Sequence, residues 1–523
     1  MAAPFDLNDD QVVVIIGTGA GGGVLGHELA AKGIPVVALE AGGNYQPEDF
    51  INDEWESFAQ LAWLDMRTTS GSWRIARDFP NLPSWIVKAV GGTTTHFAGA
   101  SLRFQEHEWK ALTTYGPVQG ANLLDWPIDA AEMAPWYDKA EARMGVTRTG
   151  DRPGLPGNNN FKVFEAGAKK LGYKDVDTGH MAINSIDYDD RISCQQTGFC
   201  FQGCKWGAKW STAYTDVPRA MDSGNYELRT GAMALRIEHD DRGRVTGVVY
   251  VDSNGKEQRQ KARIVAVAGN TIESPRLLLN SASPMFPDGL ANSSGQVGRN
   301  YMRHTTGSVY GIFEQPVRMW RGTTMAGVIR DEAGHNPERG FVGGYELETL
   351  SLGLPFMAAF LDPGAWGREF TTAMDGYDKM AGMWIVGEDM PQETNRVTLN
   401  HDVKDKFGQP VPNVHYDDHP NDLAMRAHAY ARGEALYKAV GAVRTLPTPP
   451  YPSTHNLGTN RMSEKPRDGV VNRYGQSHDI PNLFVSDGSQ FTTGAAENPT
   501  LTIVALALRQ ADYLSGELSK GNF

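Results

Sequence analysis

The first regular feature of the chain is an unbroken apolar run, Val12 to Ile16, the pattern of a parallel strand buried on both faces. A glycine-rich stretch follows and ends at Gly33, and then a second apolar run, Pro35 to Leu39, so strand, helix and strand are expected in that order. Ile264 to Ala268 repeats the buried-strand pattern, and Leu483 to Val485 gives a shorter one. From Asn225 to Val251 the apolar positions alternate at Met233, Leu235 and Ile237, which predicts two strands around a turn at Asp240 to Gly243. Helical spacing marks Asp129 to Met144, with Gly145 as its stop, then Asn421 to Val440 and Leu501 to Leu514. Between Thr305 and Asn400 the composition favours strands (SVYGIFE, GFVGGYELETL, GMWIVGEDM), read as an antiparallel sheet flooring a pocket. Asn44 to Ser84 offers few periodic cues and reads as an irregular excursion that wraps a ligand. Asp151 to Asn160 reads as an exposed, turn-rich loop.

Composition narrows the class without choosing a function. The 523 residues, 40% hydrophobic and 21% charged, describe an ordinary globular protein of two or three domains or one elaborated unit. A formal net charge of −13 opposes non-specific nucleic-acid binding and an electrostatic hold on anionic lipid. No apolar run approaches the length of a membrane span, and MAAPFDLNDD lacks the basic region and apolar core of an export signal. The 3 cysteines all fall between positions 194 and 204, which excludes a structural disulfide framework.

Three motifs carry candidate chemistry. Gly17, Gly19 and Gly22 fit G-x-G-x-x-G between a strand and a helix: the first for the turn, the second for close approach of a pyrophosphate, the third for helix–strand packing. The helix N-terminus then faces the phosphates, and Glu40, at the end of the second strand, is placed to accept from a ribose hydroxyl. This predicts a dinucleotide site and leaves FAD and NAD both open. Gly91, Gly92 and Thr93 begin a glycine–hydroxyl segment suited to a backbone passing close to a planar ring or a phosphate, with His96 three residues on. Cys194, Cys200 and Cys204 form a C-x5-C-x3-C array on a loop with glycines at 198 and 203. Zinc would want a fourth ligand, whereas three thiolates suit an iron–sulfur centre lacking one corner.

Taken with the C-terminal segment His455-Asn-Leu-Gly-Thr-Asn-Arg-Met462, which fits H-x-x-G-T-x-R-M, these motifs resemble the glucose–methanol–choline (GMC) family of flavoproteins. The segment Ala268 to Arg276 is similar to that family's second signature, Gly298-Arg299-Asn300 with His304 to a following element, and Asn395 to Leu399 to a structural strand. The resemblance implies an α/β fold, a Rossmann-like FAD-binding domain with an α+β substrate domain built on an antiparallel sheet. Residues 1–105, 205–303 and 450–523 would form the first, and 106–204 and 304–449 the second, with the cysteine loop at 194–204. It implies FAD held by Gly17, Gly19, Gly22, Glu40, Gly91, Gly92, Thr93, Met233, Asp487, Gly488, Asn498, Pro499 and Thr500, with His96 at the place where some members attach the flavin covalently. His455 would be the base, since imidazole titrates near neutrality. Asn498 would orient the hydroxyl, because an amide cannot take a proton. His304 would be structural or would support the site from behind, and would not be catalytic.

The cysteine array resembles that of bacterial family members carrying a [3Fe–4S] cluster. A cluster passes electrons singly, which favours a dehydrogenase over an oxygen-using oxidase. The resemblance implies a sugar, glycoside or polyol substrate, narrowed by Asn498-Pro499-Thr500 to a secondary ring hydroxyl such as glycoside C3, with glucose C1, a polyol and an oxygen-using oxidase as alternatives. It further implies a small helper subunit and a cytochrome c acceptor, no nucleic acid, no membrane span of the chain's own, and a periplasmic location reached by export with a signal-bearing partner, the alternative being the cytoplasm.

Overall fold

The computed structural model describes residues 5–61, 69–71, 86–362, 364–450 and 455–523. At its centre is a five-stranded parallel sheet in the spatial order Leu483–Val485, Ile264–Val267, Val13–Ile16, Val36–Glu40, Tyr226–Thr230. Val13 lies opposite Val36 on one side and Ile264 on the other. Burial on both faces explains why these strands read as continuous apolar runs. The helix Ala20–Ala31 packs on this sheet through its glycines. A Cβ at Gly22 would lie 2.1 Å from the Gly17 carbonyl oxygen, and one at Gly26 2.7 Å from the Tyr226 ring. Gly22 therefore sets how closely the helix lies on the strand, while Gly17, at φ +99, makes the turn between them.

The alternation between 225 and 251 resolves into three strands where two were expected. Tyr226–Thr230 joins the parallel sheet, Gly231 turns the chain at φ +62, and in a separate antiparallel sheet Val245–Val251 lies between Met233–His239 and Glu257–Lys261 and pairs with both. The backbone reversal at one glycine divides what reads as a single run.

The expected antiparallel floor is a six-stranded sheet. Thr305–Ile312, Met380–Gly387 and Tyr345–Thr349 lie at its centre, with Arg444–Pro447 at one edge and Val328–Ile329 and Val176–Asp177 at the other. The helix Pro420–Ala439 packs against it. Two short helices, Leu354–Phe360 and Arg368–Asp375, interrupt the region read as strands. Other boundaries shift too. Glu54–Leu61 is a helix inside the stretch expected to be irregular, and residues 62–68 and 72–84 of that stretch lie outside the described residues. Asn158 caps a helix at Asn159–Lys170, so the turn-rich loop ends sooner and Asn160 is buried. The last helix runs Thr500–Ser519.

The segment 106–146, assigned above to the substrate half, packs with the nucleotide half. Trp109, Trp126, Met133, Tyr137 and Met144 share one buried cluster with Val12, Val14 and Leu501. Its helix Ala130–Met144 starts where the Asp129 carboxylate accepts from the Glu132 N–H and stops at left-handed Gly145. Among the described residues no helix is long and apolar enough to cross a membrane.

Candidate active site

Two cavities meet at the edge of the parallel sheet. The first is a cleft at the C-terminal ends of its strands, where open α/β sheets bind ligands. It encloses about 1320 Å³ free of protein atoms, open solvent at its mouth included. Gly17, Gly19, Glu40, Gly92, Thr93, Met233, Asp487, Gly488, Pro499 and Thr500 line it. Gly22 and Gly91 do not. Gly22 packs helix on strand, and Gly91, left-handed at φ +89, packs against Ser211 and Ala213. Sequence reading missed Gly21, whose Cβ would fall 1.6 Å from the Ser486 carbonyl oxygen.

The cleft fits FAD in its shape and its donors. A Cβ at Gly19 would meet nothing nearer than 3.9 Å, so this glycine borders open space instead of protein, as a backbone approached by a pyrophosphate must. Gly19 precedes the helix and offers no side-chain cap, which leaves the first-turn N–H groups to a ligand. Glu40 is buried at 6% exposure. Its carboxylate accepts from the Thr18 N–H at 3.2 Å, the Thr18 hydroxyl at 2.7 Å and the Gly42 N–H at 2.9 Å. Burial raises its pKa and these bonds oppose the rise. Asp487 accepts from the Asn270 N–H, the Ser274 hydroxyl and both donors of Ser489, tying the end of one strand to the helix after the next. His96 is fully buried and lines neither cavity, which gives a covalent link to the flavin no support.

The second cavity holds His455 and Asn498. Asn498 Nδ2 is 3.5 Å from His455 Nε2, and His455 Nδ1 is 3.0 Å from His304 Nδ1. The network assigns every ring proton. His304 Nε2 faces the Gly494 carbonyl oxygen at 3.0 Å; a carbonyl only accepts, so this nitrogen carries the hydrogen. Burial holds the His304 pKa down to about 4, so the ring is neutral at physiological pH and its Nδ1 is an acceptor. His455 Nδ1–H must therefore donate to it. Burial first, and His304 second, hold His455 well below the ordinary imidazole value, so it too is neutral and its Nε2 carries the lone pair. The Asn498 amide points a donor at that same atom. Beside Asn498 the buried Glu348 carboxyl is pushed up to about 8 by desolvation, the amide opposing the shift.

His304, expected to be structural or to support the site from behind and not to be catalytic, orients the candidate base. It adopts φ +65, a left-handed conformation that non-glycine residues rarely hold, and its neighbour's N–H, on Arg303, is anchored on Asp389 at 2.7 Å. Replacing His304 by phenylalanine removes the acceptor for His455 Nδ1–H and the main neighbouring influence on its pKa. The expected result is a 10–100-fold lower kcat/KM and an acid limb in its pH profile displaced upwards, read from flavin reduction across pH. A purely packing role would leave that limb in place.

The three cysteines line a third, smaller cavity together with Gly198, Gly203 and Lys209. Among the described residues no group of three or more Cys, His, Asp or Glu side chains is drawn into a metal site. Gly198 and Gly203 are required by packing, against the Trp320 carbonyl and the Phe50 ring, more than by any guest. The donor set nonetheless fits an anionic cluster. Lys209 is 1% exposed, and its ammonium donates to the carbonyls of Thr95 at 3.0 Å, Phe97 at 2.6 Å and Cys200 at 2.7 Å. Among the described residues it forms no ion pair with a carboxylate, and a buried charge wants an opposite one close by. Thiolates around a cluster would supply it.

Family models described as GMC oxidoreductase match residues 19–306 and 391–507 of the chain. A 2-methyl-1,2-propanediol dehydrogenase of Mycolicibacterium austroafricanum is 35% identical over 98% of this chain and 96% of its own. A paromamine 6'-oxidase of Streptomyces fradiae is 30% identical over 98% and 93%, and a fructose dehydrogenase large subunit of Gluconobacter japonicus 29% over 97% and 98%. Among solved structures, a variant of the formate oxidase of Aspergillus oryzae RIB40 superposes with a TM-score of 0.67 at 16% identity, covering 98% of this chain and 99% of that one, a likeness of fold.

Proposed function

The chain belongs to the GMC oxidoreductase family, FAD enzymes that act on alcohol and sugar hydroxyls, and from that premise we propose that it is a dehydrogenase: it oxidises a hydroxyl to a carbonyl and passes the electrons to a partner protein instead of oxygen. The observation that carries the chemistry is the chain of contacts from His455 Nδ1 through His304 to the Gly494 carbonyl, in a cavity beside the nucleotide cleft, from which we assign the lone pair to His455 Nε2. A substrate hydroxyl between His455 and Asn498 gives its proton to Nε2, while the Asn498 amide holds its oxygen. Protonated His455 keeps its Nδ1–H on His304, so the ring does not turn away during the transfer. The start of the helix at Thr500 lines both cavities, and its unpaired N–H groups favour negative charge developing there. FAD, when bound, supplies the acceptor for the carbon-bound hydride.

Cys194, Cys200 and Cys204 would hold a [3Fe–4S] cluster, a one-electron carrier. Their shared cavity and the buried ammonium of Lys209 support that reading. Lys209 also ties the cysteine loop to the turn carrying Thr95 and Phe97, so the two redox centres would be braced against one another. A small helper subunit and a cytochrome c complete the route, in keeping with a relative named as a large subunit. A periplasmic location, reached with a signal-bearing partner, belongs to the same reading. Relatives named for a diol, fructose and paromamine leave the hydroxyl compound open, and the glycoside C3 hydroxyl expected from the sequence is one candidate among these.

The test is how the alcohol-reduced enzyme is reoxidised. Ferricenium, a one-electron acceptor, is expected to restore the oxidised flavin spectrum far faster than air-saturated buffer, with little peroxide formed. Rapid reoxidation by oxygen with stoichiometric peroxide makes the enzyme an oxidase.

A further inference from the structure

The cysteine cavity opens at the surface. Asn52, Gln195, Thr197 and Trp206 are exposed and line it together with the three cysteines. Trp206 is 47% exposed, so one aromatic side chain reaches from the cavity to water. The segment 47–57 is fastened to this loop. A Cβ at Gly203 would fall 2.3 Å from the Phe50 ring and one at Gly207 3.8 Å from Pro47, and the Ser57 hydroxyl donates to the Gln202 carbonyl at 3.1 Å. On the other side the Cys194 N–H donates to the Asn184 carbonyl at 2.8 Å and closes the loop between them. Exposed apolar side chains stand on both pieces, Trp55 on the first and Ile186 and Ile192 on the second.

The polar residues among them are acidic. Glu48, Asp49, Asp53 and Glu56 are exposed on the fastened segment, and Asp187 and Asp190 on the loop before Cys194. Of the bases in 47–57 and 184–206, Arg191 is buried and Lys205 is exposed, while Arg219 reaches across to pair with Asp189 at 2.8 Å. Aromatic and aliphatic side chains within a charged rim are the make-up of a protein interface.

We propose that this face docks the electron acceptor, a one-electron carrier protein whose redox edge is ringed by lysine or arginine. The proposal rests on the reading of the three cysteines as holders of a one-electron centre, and it names the partner of that site. One alcohol gives up two electrons and two protons. Each docked carrier is reduced by one electron, so two carriers are served in turn and the protons pass to water. Such a partner must come and go. Opposite charge speeds its arrival by about 10–10³-fold at low salt without holding it tightly.

The test is binding, read by titration calorimetry on the substrate-free protein. The probes are a ferric monohaem cytochrome c with a lysine-ringed haem edge and the same cytochrome with its lysines succinylated. The variant is Glu48→Gln with Glu56→Gln and Asp190→Asn. Asp49, Asp53 and Asp187 are left in place because they accept from the N–H groups of Gln46, Glu56 and Ser193 and hold turns. Binding of the lysine-ringed probe is expected at low ionic strength. It should weaken about tenfold or more on raising the salt, on succinylation, and in the triple variant, whose flavin is still reduced by alcohol. Equal binding of the two probes, an unaffected triple variant, or no binding of either probe overturns the docking face. So does a dimer of the chain in sedimentation that Trp206→Ser disperses, since a second copy then covers it. Electron transfer to ferricenium in any of these cases leaves the one-electron reading of the cysteines standing, and its failure as well overturns both.

Discussion

Replacing His455 by alanine lowers kcat/KM for flavin reduction by about 10²–10⁴-fold, the range for removing a positioned general base, and leaves the flavin bound. The two effects separate because His455 lines the substrate cavity and not the nucleotide cleft. The pH dependence of the unmodified enzyme carries the same argument with a definite sign. The working form of His455 is neutral. Burial disfavours the imidazolium, His304 adds to this, and the pKa falls well below the ordinary value of about 6.5. As pH drops through 6.5 the base stays unprotonated, so kcat/KM stays level there and declines only at distinctly lower pH. Stopped-flow reduction across pH, done anaerobically, reads both effects. A decline centred at 6.5 or above would mean that the imidazole is solvated and that the tautomer chain through His304 and Gly494 does not set its state.

Replacing Cys194 by serine gives the complementary phenotype: iron is lost, electron delivery to ferricenium falls by about 100-fold or more, and reduction of the flavin by alcohol is retained. Cys194 is the informative position because the other two cysteines touch more. Cys200 accepts from Lys209 through its carbonyl and precedes Phe201, which lines the substrate cavity, and Cys204 follows in the same short turn. A change at either of those disturbs substrate binding as well. Cys194 is held by its N–H on the Asn184 carbonyl and by its sulfur, which accepts from the Gln196 N–H at 3.5 Å, at the edge of a small apolar cluster. Iron content and steady-state transfer to ferricenium, measured beside anaerobic flavin reduction, distinguish the outcomes. Loss of flavin reduction together with transfer would make Cys194 a structural residue of the loop, and unchanged transfer would remove the cysteines from the electron route.

What was legible in the sequence follows from how local the cause is. The G-x-G-x-x-G turn, the acidic residue closing the second strand and the doubly buried parallel strands are each decided within a few residues, and the structure has them at the expected positions. His455 and Asn498 were legible through motif alone, and their meeting at 3.5 Å is the tertiary fact that the motif stands for. His304 was legible only as a structural or supporting residue, and which residue it supports was not, because its partner is 151 residues away and its left-handed backbone leaves no trace in a hydrophobic pattern. Gly21 was missed because the atom it must avoid, the Ser486 carbonyl oxygen, comes from the far end of the chain. The same holds for Lys209, whose position in the sequence shows nothing of its burial between two loops. The cavity beside His455 is lined, among the described residues, by phenylalanines at 97, 201, 356 and 360, none of which stands out in its own segment. The break at Gly231 was hidden for the opposite reason: its flanks have one period, so two strands in two sheets look like one.

The account's central claim, electron export from an alcohol-oxidising flavoenzyme, is tested most directly by iron and acid-labile sulfide analysis of the purified protein, with EPR of the air-oxidised sample. The account predicts about three irons per chain and the signal of an oxidised three-iron cluster, lost in Cys194→Ser. Protein prepared without air or chelator that contains FAD, oxidises alcohols and holds no iron would contradict it, and would leave the Lys209 ammonium buried beside three thiols with no cluster between them.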